Sequence, residues 1–219
     1  MLLIRVRATF EKCGRAKYIS HLDLNRCMLR IFRRSGLPIW YTEGFHSHPY
    51  YSFALALSLG FESSCEILDF NLNEDINFDE IRDRLNAVMP EGMRILKVAN
   101  QKQKITAIAK AEYSFSLIAD DINGLNDAVG QLIAKPEILI EKKTKKGMKE
   151  VDIKPEMEIM SCKKTSSSVD MVMRLPAGTQ TNYNPTLFIE ALRKDTGTAF
   201  EAQKISRTAI LCADNTAFE

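Results

Sequence analysis

Residues 20–38 read Ser20-His21-Leu22-Asp23-Leu24-Asn25-Arg26-Cys27-Met28-Leu29-Arg30-Ile31-Phe32-Arg33-Arg34-Ser35-Gly36-Leu37-Pro38. Ser20 is a good helix N-cap, and Asp23, three residues on, is its capping-box partner. Leu24, Met28, Ile31 and Phe32 fall on one stripe at helical spacing, suited to packing on a sheet. Gly36 and Pro38 end the pattern. The spacing predicts a helix over 21–35. Upstream, residues 2–10 are apolar and basic with β-rich character, and a strand resumes around Tyr18-Ile19.

Working outward, Ile39-Trp40-Tyr41 and residues 51–57 read as strands flanking a polar loop, and 66–72 as another. Asn77 or Asp79 opens a second helix, with Ile81, Leu85 and Val88 at helical spacing and Pro90-Glu91-Gly92 at its end. Residues 94–98 read as a strand. The order β-α-β-β-α-β is that of a ferredoxin-like unit. The polar stretch Asn100-Gln101-Lys102-Gln103-Lys104 reads as a linker.

The pattern then recurs. Residues 112–119 read as a strand and 122–134 as a helix with Leu125, Val129, Leu132 and Ile133 inward. A strand over 138–142 leads into the basic turn Lys142-Lys143-Thr144-Lys145-Lys146-Gly147. Strands follow around 151–162 and 168–175. Asn184-Pro185 starts a helix with Leu187, Phe188, Ala191 and Leu192 on its apolar face, ended by Gly197. Residues 201–212 form the last strand. The expected fold is therefore α+β. Two ferredoxin-like halves, 1–104 and 105–219, pack side by side, with extra strands or a hairpin inserted in the second.

Net charge is +2, but unevenly placed. Residues 1–60 hold nine Lys/Arg against three Asp/Glu, or +6; the remainder hold 21 against 25, or −4. Such asymmetry points to an anionic partner for the first half, nucleic acid being the commonest kind. The other reading is that these arginines pair with the acidic second half. No run approaches the roughly 18 apolar residues that cross a membrane. The N-terminus is too short and too charged for a signal peptide. The five cysteines, Cys13, Cys27, Cys65, Cys162 and Cys212, form no Cys-x-x-Cys pair. Reduced thiols in the cytoplasm, acting as small buried apolar side chains, are expected.

Arg26, Arg30 and Arg33 stand at i, i+4 and i+7 on one face of the first helix, with Arg34 beside them. Guanidinium groups grip phosphate bidentately. With Arg15 and Lys17 nearby, this face is expected to track a phosphate backbone; the alternative is a solvated polar face.

All three histidines, His21, His46 and His48, lie close to this helix in sequence. His21 occupies the first turn, where the helix dipole favours a neutral ring. It suits a base, a hydrogen-bond acceptor or a structural role equally. His46 and His48 belong to Gly44-Phe45-His46-Ser47-His48-Pro49. Two apart on extended backbone, they would face one way, and with His21 they number three imidazoles, enough for a catalytic zinc. Gly44 shapes this loop, and Phe45 and Tyr50 are candidates to stack on unpaired bases. No phosphate-binding glycine loop, dinucleotide fingerprint, nucleophile elbow or three-cysteine cluster is present, so no cofactor is expected.

Three stretches together resemble a known family. They are Tyr18-Ile19-Ser20-His21-Leu22-Asp23, Arg33-Arg34-Ser35-Gly36-Leu37-Pro38, and Gly44-Phe45-His46-Ser47-His48-Pro49 running on to Ser52-Phe53-Ala54. Leu59-Gly60-Phe61-Glu62-Ser63-Ser64 and Glu66-Ile67-Leu68-Asp69 also fit. The chain resembles the radical-SAM-linked bacterial domain of unknown function, encoded beside or fused to cobalamin-binding radical SAM proteins. The likeness spans the chain and is specific over residues 18–70. It departs at His46-Ser47, where the family has Asn-Pro, which leaves His21 and His48 as the better functional candidates. The resemblance implies a radical SAM protein as partner. A more distant, architectural resemblance is to CRISPR repeat-processing endoribonucleases, which also pair ferredoxin-like domains.

Three functions follow as expectations. The first is an RNA-binding module that presents tRNA or rRNA to a radical SAM enzyme, with no DNA or membrane involved. The second is a protein-interaction subunit docking its basic groove on that enzyme. The third is a metal-independent ribonuclease or transferase with His21 and His48 as the acid–base pair.

Overall fold

The computed structural model describes residues 3–144, 147–178, 181–197 and 199–219. The chain forms two compact units, Met1–Ala107 with Ala217–Glu219, and Ile108–Thr216. The fold is α+β, with four α-helices among the described residues.

The first unit runs β1 (Ile4–Lys12), α1 (His21–Ser35), β2 (Tyr51–Phe53), β3 (Glu62–Leu72), α2 (Phe78–Asn86) and β4 (Met93–Asn100). Its strands pair antiparallel in the order β4-β1-β3-β2. Side chains alternate across a strand, so Val6, Ala8 and Phe10 of β1 share one buried face with Leu68 and Phe70 of β3, with Val6 opposite Phe70 and Ala8 opposite Leu68. Leu24, Met28, Ile31 and Phe32 of α1 and Ile81 and Leu85 of α2 cover that face. The Phe32 ring lies 5.2 Å from that of Phe70. Each such side chain contributes about 1.5–3 kcal/mol by leaving water.

Both ends of α1 are closed by side chains. The Ser20 hydroxyl accepts from the Asp23 amide at 3.1 Å and donates to the Asp23 carboxylate at 2.7 Å. At the other end Gly36 takes the left-handed conformation, φ 64°, which costs a residue without Cβ little. Arg84 of α2 donates to the Ser35 carbonyl at 3.1 Å and also to that of Gly36.

Three strand expectations in this unit change. Tyr18-Ile19 is not a strand: Gly14–Tyr18 is a 3-10 turn and Ile19 follows it, because Gly14 takes φ 56° and Lys12 draws in the carbonyls of Lys17 and Ile19. Residues 39–41 make only single bridges, Ile39 to Leu72 and Tyr41 to Pro49, because Pro38 and the turn at Gly44 let the chain touch the ladder without running along it. The strand expected over 51–57 stops at Phe53: after Ala54 donates to the Ile67 carbonyl the chain leaves the sheet and buries Leu55 and Leu57.

The second unit runs β5 (Ile108–Ile118), α3 (Ile122–Ala134), β6 (Leu139–Thr144), β7 (Gly147–Asp152), β8 (Glu158–Lys164), β9 (Val169–Pro176), α4 (Thr186–Thr196) and β10 (Glu201–Cys212). Its main sheet has the order β10-β5-β9-β8, again antiparallel, and β6 and β7 form a separate hairpin. Tyr113, Phe115 and Leu117 alternate inward along β5, as do Met171, Met173 and Leu175 along β9. Leu125, Val129 and Leu132 of α3 and Phe188 and Leu192 of α4 are buried with them. Leu2, Lys145 and Lys146 lie outside the described residues, so the start of the first strand and the tip of the basic turn do too. Of the cysteines only Cys212 is buried; Cys162 is exposed and the other three are intermediate. Among the described residues no helix is long and apolar enough to cross a membrane.

Candidate functional site

The approach to α1 is fixed from below. Alternation along β1 continues from Val6, Ala8 and Phe10 to Lys12, which is therefore buried despite its charge. Its ammonium donates to the carbonyls of Lys17 at 3.3 Å and Ile19 at 2.9 Å, holding the chain that delivers Ser20. The turn Gly14–Tyr18 carries Arg15, which is exposed, and Lys17. Lys17 pairs with Glu62 at 3.6 Å and lies 5.4 Å from the Tyr18 ring, so its charge is shared.

His21 is the first residue of α1 and is exposed. Its ring meets Phe53 edge-on, 5.5 Å between centroids. Its carbonyl accepts from Asn25, and the Tyr51 hydroxyl donates to the Asn25 carbonyl at 3.1 Å. Burial pushes the Tyr51 phenol above its ordinary pKa, so it stays a neutral donor. β2 thus supplies the platform on which the first turn of α1 rests.

Arg26, Arg30, Arg33 and Arg34 are all exposed. Arg26 is tied to Asp23 at 3.1 Å. The Ser20 hydroxyl and then Arg26 hold the Asp23 carboxyl below its usual range. Among the described residues Arg30, Arg33 and Arg34 have no ion pair, so the pairing with acids allowed by the charge asymmetry does not occupy them. Arg30 and Arg34 favour the thiolate of Cys27 by their charge, but burial outweighs them and raises its pKa.

The histidine loop closes on itself. The Thr42 amide donates to the His48 carbonyl at 2.9 Å and the His48 amide to the Thr42 hydroxyl at 3.2 Å. His48 Nδ1 lies 2.9 Å from the His46 carbonyl and 3.1 Å from Thr42 Oγ1. A carbonyl only accepts, so that contact requires a proton on Nδ1 and leaves Nε2 of a neutral ring as an acceptor. Gly44, with φ 116°, provides the bend, and Phe45 and His46 are exposed at the tip. Tyr50 is exposed beyond the loop with its ring edge-on to Trp40, 5.5 Å away.

The structure therefore places His21 with the aromatics of β2, and His48 with Thr42 and His46. Among the described residues His21 and His48 share no hydrogen bond or ring contact. Nor does any group of three His, Cys, Asp or Glu side chains among them stand where it could hold a metal; the three imidazoles that spacing allowed are not gathered. What the surface offers is a row of guanidinium forks without acids, able to hold phosphates. Sequence reading missed two positioning residues, Lys12 and Arg84. Strand parity could have found Lys12, since a lysine two after Phe10 faces inward. Nothing local marks Arg84 as a cap of α1: beside its pairing with Glu80 four residues away, the carbonyls it holds are 48 and 49 residues away.

No curated protein matches the chain. Among solved structures, an unknown protein from Galdieria sulphuraria aligns over 92% of this chain and 98% of its own, with 10% identity and a TM-score of 0.28. The model of one family matches residues 5–185. That match takes in both helices of the first unit, the histidine loop and most of the second unit, and the chain belongs to the family described as "uncharacterized protein conserved in bacteria (DUF2344)".

Proposed function

We propose that this protein is an RNA-binding accessory module that holds tRNA or rRNA for modification by a radical SAM enzyme in the cytoplasm. The observation that carries the reading is the exposed row Arg30, Arg33 and Arg34, free of ion pairs among the described residues. Unpaired guanidinium groups in register on one helix are suited to successive backbone phosphates. Arg15 extends the positive surface, and the exposed rings of Phe45 and Tyr50 suit stacking on unpaired bases. His21 and His48 serve as groups that recognise the nucleotide in this reading. The radical SAM partner rests on the resemblance carried by residues 18–70. Both units are read as ferredoxin-like halves, supported by the sheet orders β4-β1-β3-β2 and β10-β5-β9-β8.

The test is binding of bulk tRNA and rRNA fragments, followed by fluorescence anisotropy across a salt series. Steep weakening with salt is expected, and a flat response at micromolar protein overturns the reading. Co-purification from lysate with and without nuclease separates the docking alternative: a radical SAM partner retained after nuclease treatment, with no RNA bound, replaces RNA by protein as the ligand.

A further inference from the structure

The sheet of the first unit has a second face, away from α1 and α2. By register Arg5 stands opposite Asn71, Arg7 opposite Asp69, and Ser52 opposite Asp69. Arg7 and Asp69 form a bidentate, buried pair at 2.7 and 2.8 Å. A cleft of about 670 Å³ opens over this face, lined by Arg5, Ser52, Asp69 and Asn71, a volume within the range of small-molecule sites.

One wall is aromatic. The Trp40 amide donates to the Asn71 carbonyl and the Tyr50 amide to the Trp40 carbonyl, so the two rings are set beside the cleft by backbone bonds. The other wall is the polar stretch that sequence alone reads as a linker. Gln101 donates to the Val6 carbonyl at 3.3 Å, and the Gln103 carbonyl accepts from Arg7 at 3.0 Å. These residues are laced to β1 and belong to the site. Lys102 is occupied by Glu219 at 2.8 Å. Arg5 and Lys104 line the cleft, both exposed, and among the described residues have no ion pair.

Asn71 decides the chemistry. It is 5% exposed and lines the cleft, yet its side-chain amide has no hydrogen-bond partner among the described residues. Its amide is not one of the buried polar atoms left unpaired, so it meets solvent in the cleft, where a ligand with both donor and acceptor atoms can take the place of water. Such a group next to two aromatic rings and two free cations matches a planar nitrogenous base bearing a phosphate.

We propose that this cleft binds a nucleotide, with its base against Trp40 and Tyr50, its edge bonded to Asn71, and its phosphate held by Arg5 and Lys104. The same chemistry is offered by a free mononucleotide or by one residue of a single-stranded RNA. The site shares Tyr50 with the RNA surface proposed above but has no residue in common with the arginine row of α1, which can be removed without touching the cleft.

Trp40 is the only tryptophan of the chain, so its fluorescence reports this cleft directly. The full chain is titrated with the four ribonucleoside monophosphates, the matching nucleosides, inorganic phosphate and a short single-stranded RNA. Saturable quenching by a mononucleotide identifies a free nucleotide as the ligand; quenching by the RNA alone identifies a base presented by a strand. Arg5→Ala, at an exposed position, should weaken nucleotide binding about tenfold and leave the nucleoside unchanged, as loss of one charged contact implies. Asn71→Ala should weaken both. Should its melting curve show a lost fold, Tyr50→Ala in the exposed wall takes its place, with the same expectation. The proposal is overturned by unchanged Trp40 emission with every nucleotide and RNA, by equal quenching from phosphate alone, or by binding indifferent to both Arg5→Ala and Tyr50→Ala. The triple variant Arg30→Gln/Arg33→Gln/Arg34→Gln separates the two sites: mononucleotide quenching persists when RNA binding through α1 is lost, and failure of either site leaves the other measurable.

Discussion

α1 and α2 lie in one unit, cover the same sheet, and both carry several arginines, yet their outer faces differ in kind. In α2, Arg82 pairs with Asp79 at 2.6 Å and Asp83 at 2.9 Å, and Arg84 pairs with Glu80 at 3.2 Å. Among the described residues, only Arg26 of α1 has such a partner, Asp23. The cause is in the sequence. α2 places three acids within one turn of its arginines, whereas α1 has a single acid in 15 residues. Exposed pairs of this sort add only about 0–1 kcal/mol each, so the difference is not one of stability. It decides which helix presents a cationic field to a ligand, and the position of the acids matters more than the number of arginines.

The largest effect should follow from erasing that difference. Arg30→Gln/Arg33→Gln/Arg34→Gln is expected to cut RNA affinity by about two orders of magnitude. It should flatten the slope of log affinity against log salt by about 2, at roughly 0.7 per phosphate contact for single strands. Arg82→Gln in α2 should leave both quantities unchanged. Equal losses from the two helices would show that the pairing in α2 does not matter and would break the comparison.

Stability variants come next, and they should spare RNA binding in proportion to their distance from the arginine row. Lys12→Ala removes a buried ammonium bonded to the carbonyls of Lys17 and Ile19. It should cost about 2–3 kcal/mol in chemical denaturation, since bonds from charged groups contribute about 1.5–3 kcal/mol. Arg84→Ala opens the carboxyl end of α1 and should cost about 1–2 kcal/mol by the same reasoning, discounted for partial exposure. Ser20→Ala removes the cap and should cost about 1 kcal/mol.

These positions also show what sequence makes legible. The limits of α1 were readable because cap and stop are local: Ser20 bonds three residues ahead, and Gly36 adopts a conformation few other residues accept. The parity of β1 was readable in the same way, as were α3 and β10. Ile39-Trp40-Tyr41 misled because aromatic and β-branched residues signal a half-buried surface, not a ladder as such; Trp40 uses its ring to wall a cleft. That cleft was not legible. Arg5 and Asn71 meet through the β1–β3 register, Trp40 joins them only by its amide bond to the Asn71 carbonyl, and the residues 101–106 that close it look like a solvated linker until Gln101 and Gln103 are seen bonded along β1. The arginine row was readable as a pattern, but whether acids cover it was a tertiary question.

The smallest effect concerns the one arginine of α1 that resembles those of α2. Asp23 is held below the ordinary carboxyl value of 3.8, first by the Ser20 hydroxyl and then by Arg26. A folded-state pKa below the unfolded one contributes stability that is present above the unfolded value and is lost as pH falls through the folded value. The first turn of α1 should therefore be insensitive to pH from neutrality down to about 4 and loosen below it, read from the amide resonances of residues 21–24. Asp23→Asn should abolish that acid response. At neutral pH the same variant has two consequences of opposite sign. It loses an anion at the helix N-terminus and so weakens the cap, while releasing Arg26 to join Arg30, Arg33 and Arg34. RNA affinity should then rise by about twofold at low salt, a fraction of one full phosphate contact, even as the protein melts earlier. A fall in affinity instead would mean that the Asp23–Arg26 pair orients Arg26 toward its ligand, and that α1 shares with α2 a dependence on its acids.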